Sequence, residues 1–230
     1  MNVRRILAFL FFAMPLGAQT SVPFLSFPAP YDAGRLQWSA GLSLAIMPRA
    51  VVEEEIRQIP MIDASVRYGL PSGLSLTGAF STIYLTNVAT AGLHWSFALG
   101  DVQASIGDNV SYWFGTATMQ GFDTQVMGLV TVPGVSAGMD LDGSLVTLRS
   151  ELLVPIAQHT YFGSASVGRV KPEIAGVVQS VTLEQDLWRG TSLSFEFRAH
   201  YARPNYQLWL AFAVQDRWLF YPEIRTAFLF

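Results

Sequence analysis

The chain contains no cysteine, only 13% charged residues, and no apolar run that reaches the roughly 20 residues a membrane-spanning helix needs. Without cysteine there is neither a disulfide framework nor the attachment point of a lipoprotein anchor. The short apolar runs exclude a helical membrane protein. Basic residues number 14 against 17 acidic ones, a formal net charge of -3, so the basic footprint of a nucleic-acid partner is missing. Glycine-rich phosphate loops, Cys/His metal spacings and nucleotide fingerprints are also lacking. No cofactor and no metal are therefore expected.

What the chain does have is apolar substance: 51% of its residues are hydrophobic. It begins with Arg4 and Arg5, continues through the apolar run Ile6 to Leu16, and reaches the small residues Gly17 and Ala18. That order reads as a signal peptide cleaved after Ala18. Residues 19–35 carry Pro23, Pro28 and Pro30, which suit an extended segment that joins no sheet. This segment is expected either to lie across one mouth of the main fold or to enter it as a plug. The main fold is expected over residues 36–230.

From Leu36 onward the dominant period is two. Leu36, Trp38, Ala40, Leu42, Leu44 and Ile46 alternate with Gln37, Ser39, Gly41, Ser43 and Ala45. Ile62, Ala64, Val66 and Tyr68 oppose Asp63, Ser65, Arg67 and Gly69, and Leu193, Phe195, Phe197, Ala199 and Tyr201 oppose Ser194, Glu196, Arg198 and His200. One parity is apolar and the other small or polar, in segments of about ten residues separated by turn signals. Asp108 is the one clear violation on an apolar parity, and Pro133-Gly134 reads either as a hairpin turn or as an irregularity inside one long strand.

A backbone that faces lipid must satisfy its polar groups internally, so strands cross a bilayer only in a sheet closed on itself. The apolar parity then faces hydrocarbon and the polar parity the lumen. Trp38, Tyr68, Trp95, Phe97, Tyr112, Phe114, Tyr201 and Trp218 fall on the apolar parity, mostly near segment ends, as interfacial aromatic girdles do. The expected fold class is therefore all-β: a closed antiparallel transmembrane β-barrel. Treating Pro133-Gly134 as no turn gives about twelve strands, within a range of roughly ten to fourteen and even in number.

The last segment ends on Phe228 and Phe230, with Glu223 and Arg225 on the other parity. In this it resembles bacterial outer-membrane barrels, whose final strand commonly ends in an aromatic residue that the barrel-assembly machinery recognises. The resemblance implies outer-membrane localisation, lipid and lipopolysaccharide as surroundings, and Phe228 and Phe230 as the assembly signal. The stretch Ser65 to Leu76, with Arg67-Tyr68-Gly69-Leu70 before a turn, is similar to a hairpin of transporter-like barrels related to the phenol-degradation meta-pathway family.

The polar parity gathers Asp63, Arg67, Arg149, Glu151, Glu196, Arg198, His200, Glu223 and Arg225. Such a balanced set is either a pore lining that orients polar solutes or a self-neutralising network that stiffens the lumen. The function expected is a transporter-like or porin-like channel for small polar or amphipathic solutes, with a plugged structural barrel as the alternative. A lipid-modifying enzyme is a third reading. It would need Ser192 or Ser194, His200 and Glu196 to assemble into a nucleophile-base-acid set, and their spacing on one strand opposes that, so no catalytic residue is assigned. Glu53-Glu54-Glu55 reads as a solvated loop.

Overall fold

The computed structural model describes residues 24–48, 58–83, 85–119, 122–162, 165–169, 173–188, 190–203 and 218–230, with backbone alone near 117–123 and 162–169. The signal peptide, residues 19–23 and Glu53-Glu54-Glu55 lie outside the described residues. Eleven strands follow one another: β1 (Leu36–Ile46), β2 (Gln58–Gly69), β3 (Leu74–Thr82), β4 (Thr86–Leu99), β5 (Val102–Met119), β6 (Phe122–Leu141), β7 (Ser144–Phe162), β8 (Ala165–Arg169), β9 (Gly176–Trp188), β10 (Thr191–Ala202) and β11 (Leu219–Leu229). Each pairs antiparallel with its neighbour, β6 pairs with β7, β7 with β9, and β1 with β11. The result is a closed ring of ten strands. β8 pairs only with the far end of β7 and stands outside the ring.

Ten is the low end of the expected range, and the excess comes from strand length. Segments of about ten residues describe β1 and β2 well, but β5, β6 and β7 run for 18, 20 and 19 residues. Pro133-Gly134 makes no turn; both lie inside β6, paired with Asp108 and Gly107 of β5.

Turns identify the two ends of the barrel. At one end sit the tight connections and both ends of the ring: the 3-10 turn Pro71–Gly73, the hairpin at Gly100-Asp101, and the hairpin at Asp142-Gly143. Asp142 and Gly143 both have positive φ, 52° and 89°, as the primed two-residue hairpin demands of an Asp-Gly pair. This is called the turn end. Opposite it, at the loop end, lie longer connections such as the one between β10 and β11.

The faces divide as the alternation requires. Leu36, Leu42, Ile62, Ile106, Leu148 and Phe220 are more than half exposed on the outer wall, beside Trp38, Tyr112, Phe195 and Tyr201. Inside, Gln37, Ser39, Ser43, Asp63 and Arg67 are buried. A soluble protein would bury the first set and expose the second, so the pattern is that of a transmembrane β-barrel. Among the described residues no helix is long and apolar enough to cross a membrane; here the strands cross.

Asp108, the violation, does stand on the outer face between the exposed Ile106 and Val110, and the structure supplies its reason. It lies opposite Pro133, which has no N–H to give the ladder. Its carboxylate accepts the Val132 N–H (3.0 Å) and the Thr131 hydroxyl (2.8 and 2.6 Å). Pairing of β6 with β7 is also missing at Val132 and Pro133. Asp108 thus supplies an acceptor where the ladder is irregular and water is excluded. Asp108→Asn, which keeps the acceptor and removes the charge from the apolar face, is expected to be at least as stable as the parent in detergent unfolding. Asp108→Val, which leaves the Val132 N–H unmet, is expected to fall below Asp108→Asn by about 1–3 kcal/mol.

Candidate functional site: a layered lumen

The barrel interior consists of three layers. At the turn end, residues 24–31 enter the ring and are held there mainly through their main chain. Glu184 on β9 accepts the N–H groups of Leu25 and Ser26 on Oε1 (2.8 and 2.9 Å) and that of Phe27 on Oε2 (2.9 Å). Arg67 on β2 donates from Nη1 to the carbonyls of Phe27 (2.7 Å) and Leu25 (3.3 Å), and from Nη2 to that of Ala29 (3.1 Å). Its remaining donors meet Ser75 and Ser96, and Arg149 reaches the Ser26 carbonyl at 3.3 Å. Arg67 is 3% exposed and Glu184 fully buried. Ionised groups at that depth are tolerated only with such a complete set of partners.

Side chains complete the seat. Phe24, Phe27, Ala29 and Tyr31 cluster with Leu145, and Phe24 meets Phe27 and Tyr31 edge to face at 5.6 and 5.1 Å. The guanidinium groups of Arg67 and Arg35 lie over the Tyr31 ring at 4.7 and 5.0 Å, cation–π contacts that fix the ring's place. Tyr31 donates to the Phe24 carbonyl (3.0 Å), and burial pushes its hydroxyl up to about 12, so at neutral pH it remains a donor. The wall is shaped for the segment at two glycines. A Cβ on Gly138 would stand 2.7 Å from the Phe27 ring and 2.8 Å from Pro28, and one on Gly69 would strike the Asp32 carbonyl.

In the middle layer, the nine charged and polar residues expected to face inward all line one cavity of about 200 Å³. Most of them form a single network on the β2, β7, β10 and β11 wall. Arg198 bonds Glu151 at 2.8 Å and lies 3.7 Å from Glu196 and 3.9 Å from Glu223. Arg225 meets Asp63 at 3.0 Å, Glu196 at 3.7 Å and Glu223 at 3.8 Å. His200 bonds Glu223 through Nε2 (2.9 Å) and stacks on Tyr221. Arg149 lies 3.9 Å from Glu151. Arg67 is set apart, since its partners are carbonyls and hydroxyls. The residues of β3, β4 and β5 that line the cavity opposite include no Asp, Glu, Lys or Arg; Thr90 pairs with Ser111, and Asn109 holds both Thr77 and His94.

The third layer, at the loop end, is apolar. Ala45, Met47, Ile59, Met61, Val88, Trp113, Val126, Val130, Leu219 and Tyr221 form one buried cluster. Val132 connects it to a second cluster of Leu153, Val178 and Ala202. Every strand of the ring except β3 contributes to this layer. Gly128 makes room for the Trp113 indole, which is 2% exposed.

Alternation showed which parity turns inward, but not that its loop-end positions would be apolar. The signal lay in Met61, Val88, Val130 and Leu153, which are hydrophobic on the polar parity. Glu184 was missed too, although Ser180, Thr182 and Glu184 alternate with Val181 and Leu183 as the other strands do. The members of the Ser-His-acid set that the spacing opposed have other partners or places: His200 is bonded to Glu223, Glu196 lies 3.7 Å from both Arg225 and Arg198, and Ser192 lies at the opposite end of β10. Among the described residues no group of three or more His, Cys, Asp or Glu is placed to hold a metal ion. Phe228 and Phe230 are on the outer wall at the turn end, Phe230 stacked on Trp38 at 4.5 Å.

No family model matches the chain, and no curated protein matches its sequence. Solved structures of similar shape are bacterial outer-membrane barrels. The translocator domain of the autotransporter NalP from Neisseria meningitidis is 10% identical, with 85% of this chain and 87% of that one covered and a TM-score of 0.40. CdiB from Acinetobacter baumannii is 9% identical over 73% of this chain, TM-score 0.36; the chain spans 32% of that protein. OmpT of Vibrio cholerae is 7% identical over 87% of this chain and 99% of that one, TM-score 0.22. The likeness is one of general barrel shape, and none of those proteins' activities comes with it.

Proposed function

We propose that the chain is an outer-membrane barrel of porin-like architecture whose lumen is shut along its axis in the state described. One observation carries this reading: residues 24–31 are seated inside the turn end, and a buried apolar layer with Met47, Met61, Trp113 and Tyr221 lies at the loop end. The apolar outer wall fits lipid and, toward the surface, lipopolysaccharide. The short turns and both ends of the ring fit the periplasmic side, with the longer connections outside. Phe228 and Phe230 are the residues the barrel-assembly machinery would read, and the pattern over residues 1–18 suits export before that step.

The ion pairs favour a structural role for the charged residues over a transverse field for permeation. Their acids and bases satisfy one another on one wall rather than facing across an open path. Passage of small polar or amphipathic solutes then requires the seated segment to leave and the apolar layer to rearrange. Refolded full-length protein in planar bilayers is expected to be electrically silent while showing the heat-dependent gel mobility of a folded barrel. Steady conductance steps that scale with salt concentration would reject the shut-barrel reading.

A further inference from the structure

The central cavity is polar around its walls and apolar along the barrel axis. On the walls, Asp63, Glu151, Glu196 and Glu223 are matched by Arg67, Arg149, Arg198 and Arg225, with hydroxyls such as Thr90 and Ser111 opposite. Toward the loop end it is bounded by Met61, Val88, Val130 and Val132, and toward the turn end by Leu25 and Pro28. Acids and bases among these described residues balance, so a net charge inside would find no countercharge. The walls nevertheless keep hydrogen-bonding capacity open to the cavity. Arg149 and Arg225 lie within the ring, line the cavity, and leave 24% and 25% of their side-chain surface accessible. Glu196, also in the lining, has its nearest arginine nitrogens 3.7 Å away, beyond hydrogen-bond contact.

A volume of about 200 Å³ falls below the roughly 300–1,000 Å³ of sites for drug-sized ligands, and suits one small ring. Water meets the polar walls but gains nothing at the apolar ends. An uncharged ring with hydroxyls on its rim and C–H groups on its faces meets both. We infer that the cavity is a binding site for a single neutral, polyhydroxylated ring of monosaccharide size, its rim against the polar walls and its faces toward the two apolar ends. Rim oxygens accept from Arg149 and Arg225, and a rim hydroxyl donates to Glu196. The balanced wall rejects acidic and basic analogues of the same ring. The inference concerns the cavity and not its exits, so it holds whether or not the barrel conducts.

Tritiated D-glucose and myo-inositol are the probes, present while the full chain refolds so that entry is not limiting, and then equilibrated by dialysis of the barrel in detergent micelles. The expected result is saturable binding that approaches one ring per barrel. Glucuronate and glucosamine are expected to bind at least about tenfold more weakly, since each brings a charge that the wall cannot meet. Ala79→Leu places a larger side chain in the cavity between Ser65 and Thr90, and is expected to abolish binding while the heat-dependent gel mobility persists. Ser65→Leu serves the same purpose should that variant fail to fold. A folded barrel that binds neither ring has a cavity for water alone and overturns the inference. So does parental binding in the filled variants, or binding of the charged analogues as tight as that of glucose. Conductance is read separately, so channel activity would reject the shut-barrel reading and leave this one standing.

Discussion

Arg67→Met is expected to detach residues 24–31 and to lower barrel stability by about 3–5 kcal/mol, the cost of removing one member of a buried charged arrangement. Methionine matches the length of the arginine stem but offers no donors. The carbonyls of Leu25, Phe27 and Ala29 then lose their partner, and Glu184 loses the nearest positive charge. The measurement is a urea unfolding midpoint in detergent micelles, followed by tryptophan fluorescence, together with protease cleavage near Ser26. The parent is expected to resist cleavage there and the variant to be cut. Should the variant unfold at the parental midpoint with Ser26 still protected, the main-chain clamp would not be what seats the segment. Arg67→Lys is not a neutral control, because a single ammonium cannot span carbonyls that the guanidinium reaches from two nitrogens.

The second large effect is expected in the middle layer. Arg198→Met removes the 2.8 Å bond to Glu151 and the cation that Glu196 and Glu223 share. A loss of about 3–5 kcal/mol is expected, because two nearly buried carboxylates remain with fewer countercharges. Adding Glu151→Gln should restore part of it. The amide removes the orphaned charge, although Arg149 then loses its carboxylate neighbour. A double-mutant cycle on unfolding midpoints should therefore give a coupling of about 0.5–3 kcal/mol for contacting residues. Strict additivity would mean that the pair is not coupled and that the network is only a lining.

These outcomes follow from contacts that differ in how visible they are from the residues alone. The outward set was readable because hydrocarbon imposes the same demand on every strand: Trp38, Tyr68, Phe195 and Phe228 are apolar for one reason, and period two displays it. The inward charges were readable for the complementary reason. Their partners were not. Arg225 meets Asp63 across the β1 strand between them, and Glu151 meets Arg198 across β9. Those distances depend on strand register and tilt, which alternation does not encode. The strand number of ten fell within the expected range, and Pro133-Gly134 lies inside β6 as expected; only the length of strands such as the twenty-residue β6 was not legible from the alternation.

By itself, then, the sequence determined the architecture: a closed sheet with an apolar exterior, a polar lumen, an aromatic final strand and a proline-bearing segment outside the sheet. It could do so because solvent on each face acts on single residues, one position at a time. Only the tertiary structure decided what fills the two ends of the lumen. The seat of residues 24–31 depends on Arg67 and Glu184, far apart in the chain, meeting their backbone. The apolar layer at the loop end depends on side chains from nine strands. Main-chain groups are the same in every residue, so a site that reads them leaves little trace in the identity of what it holds.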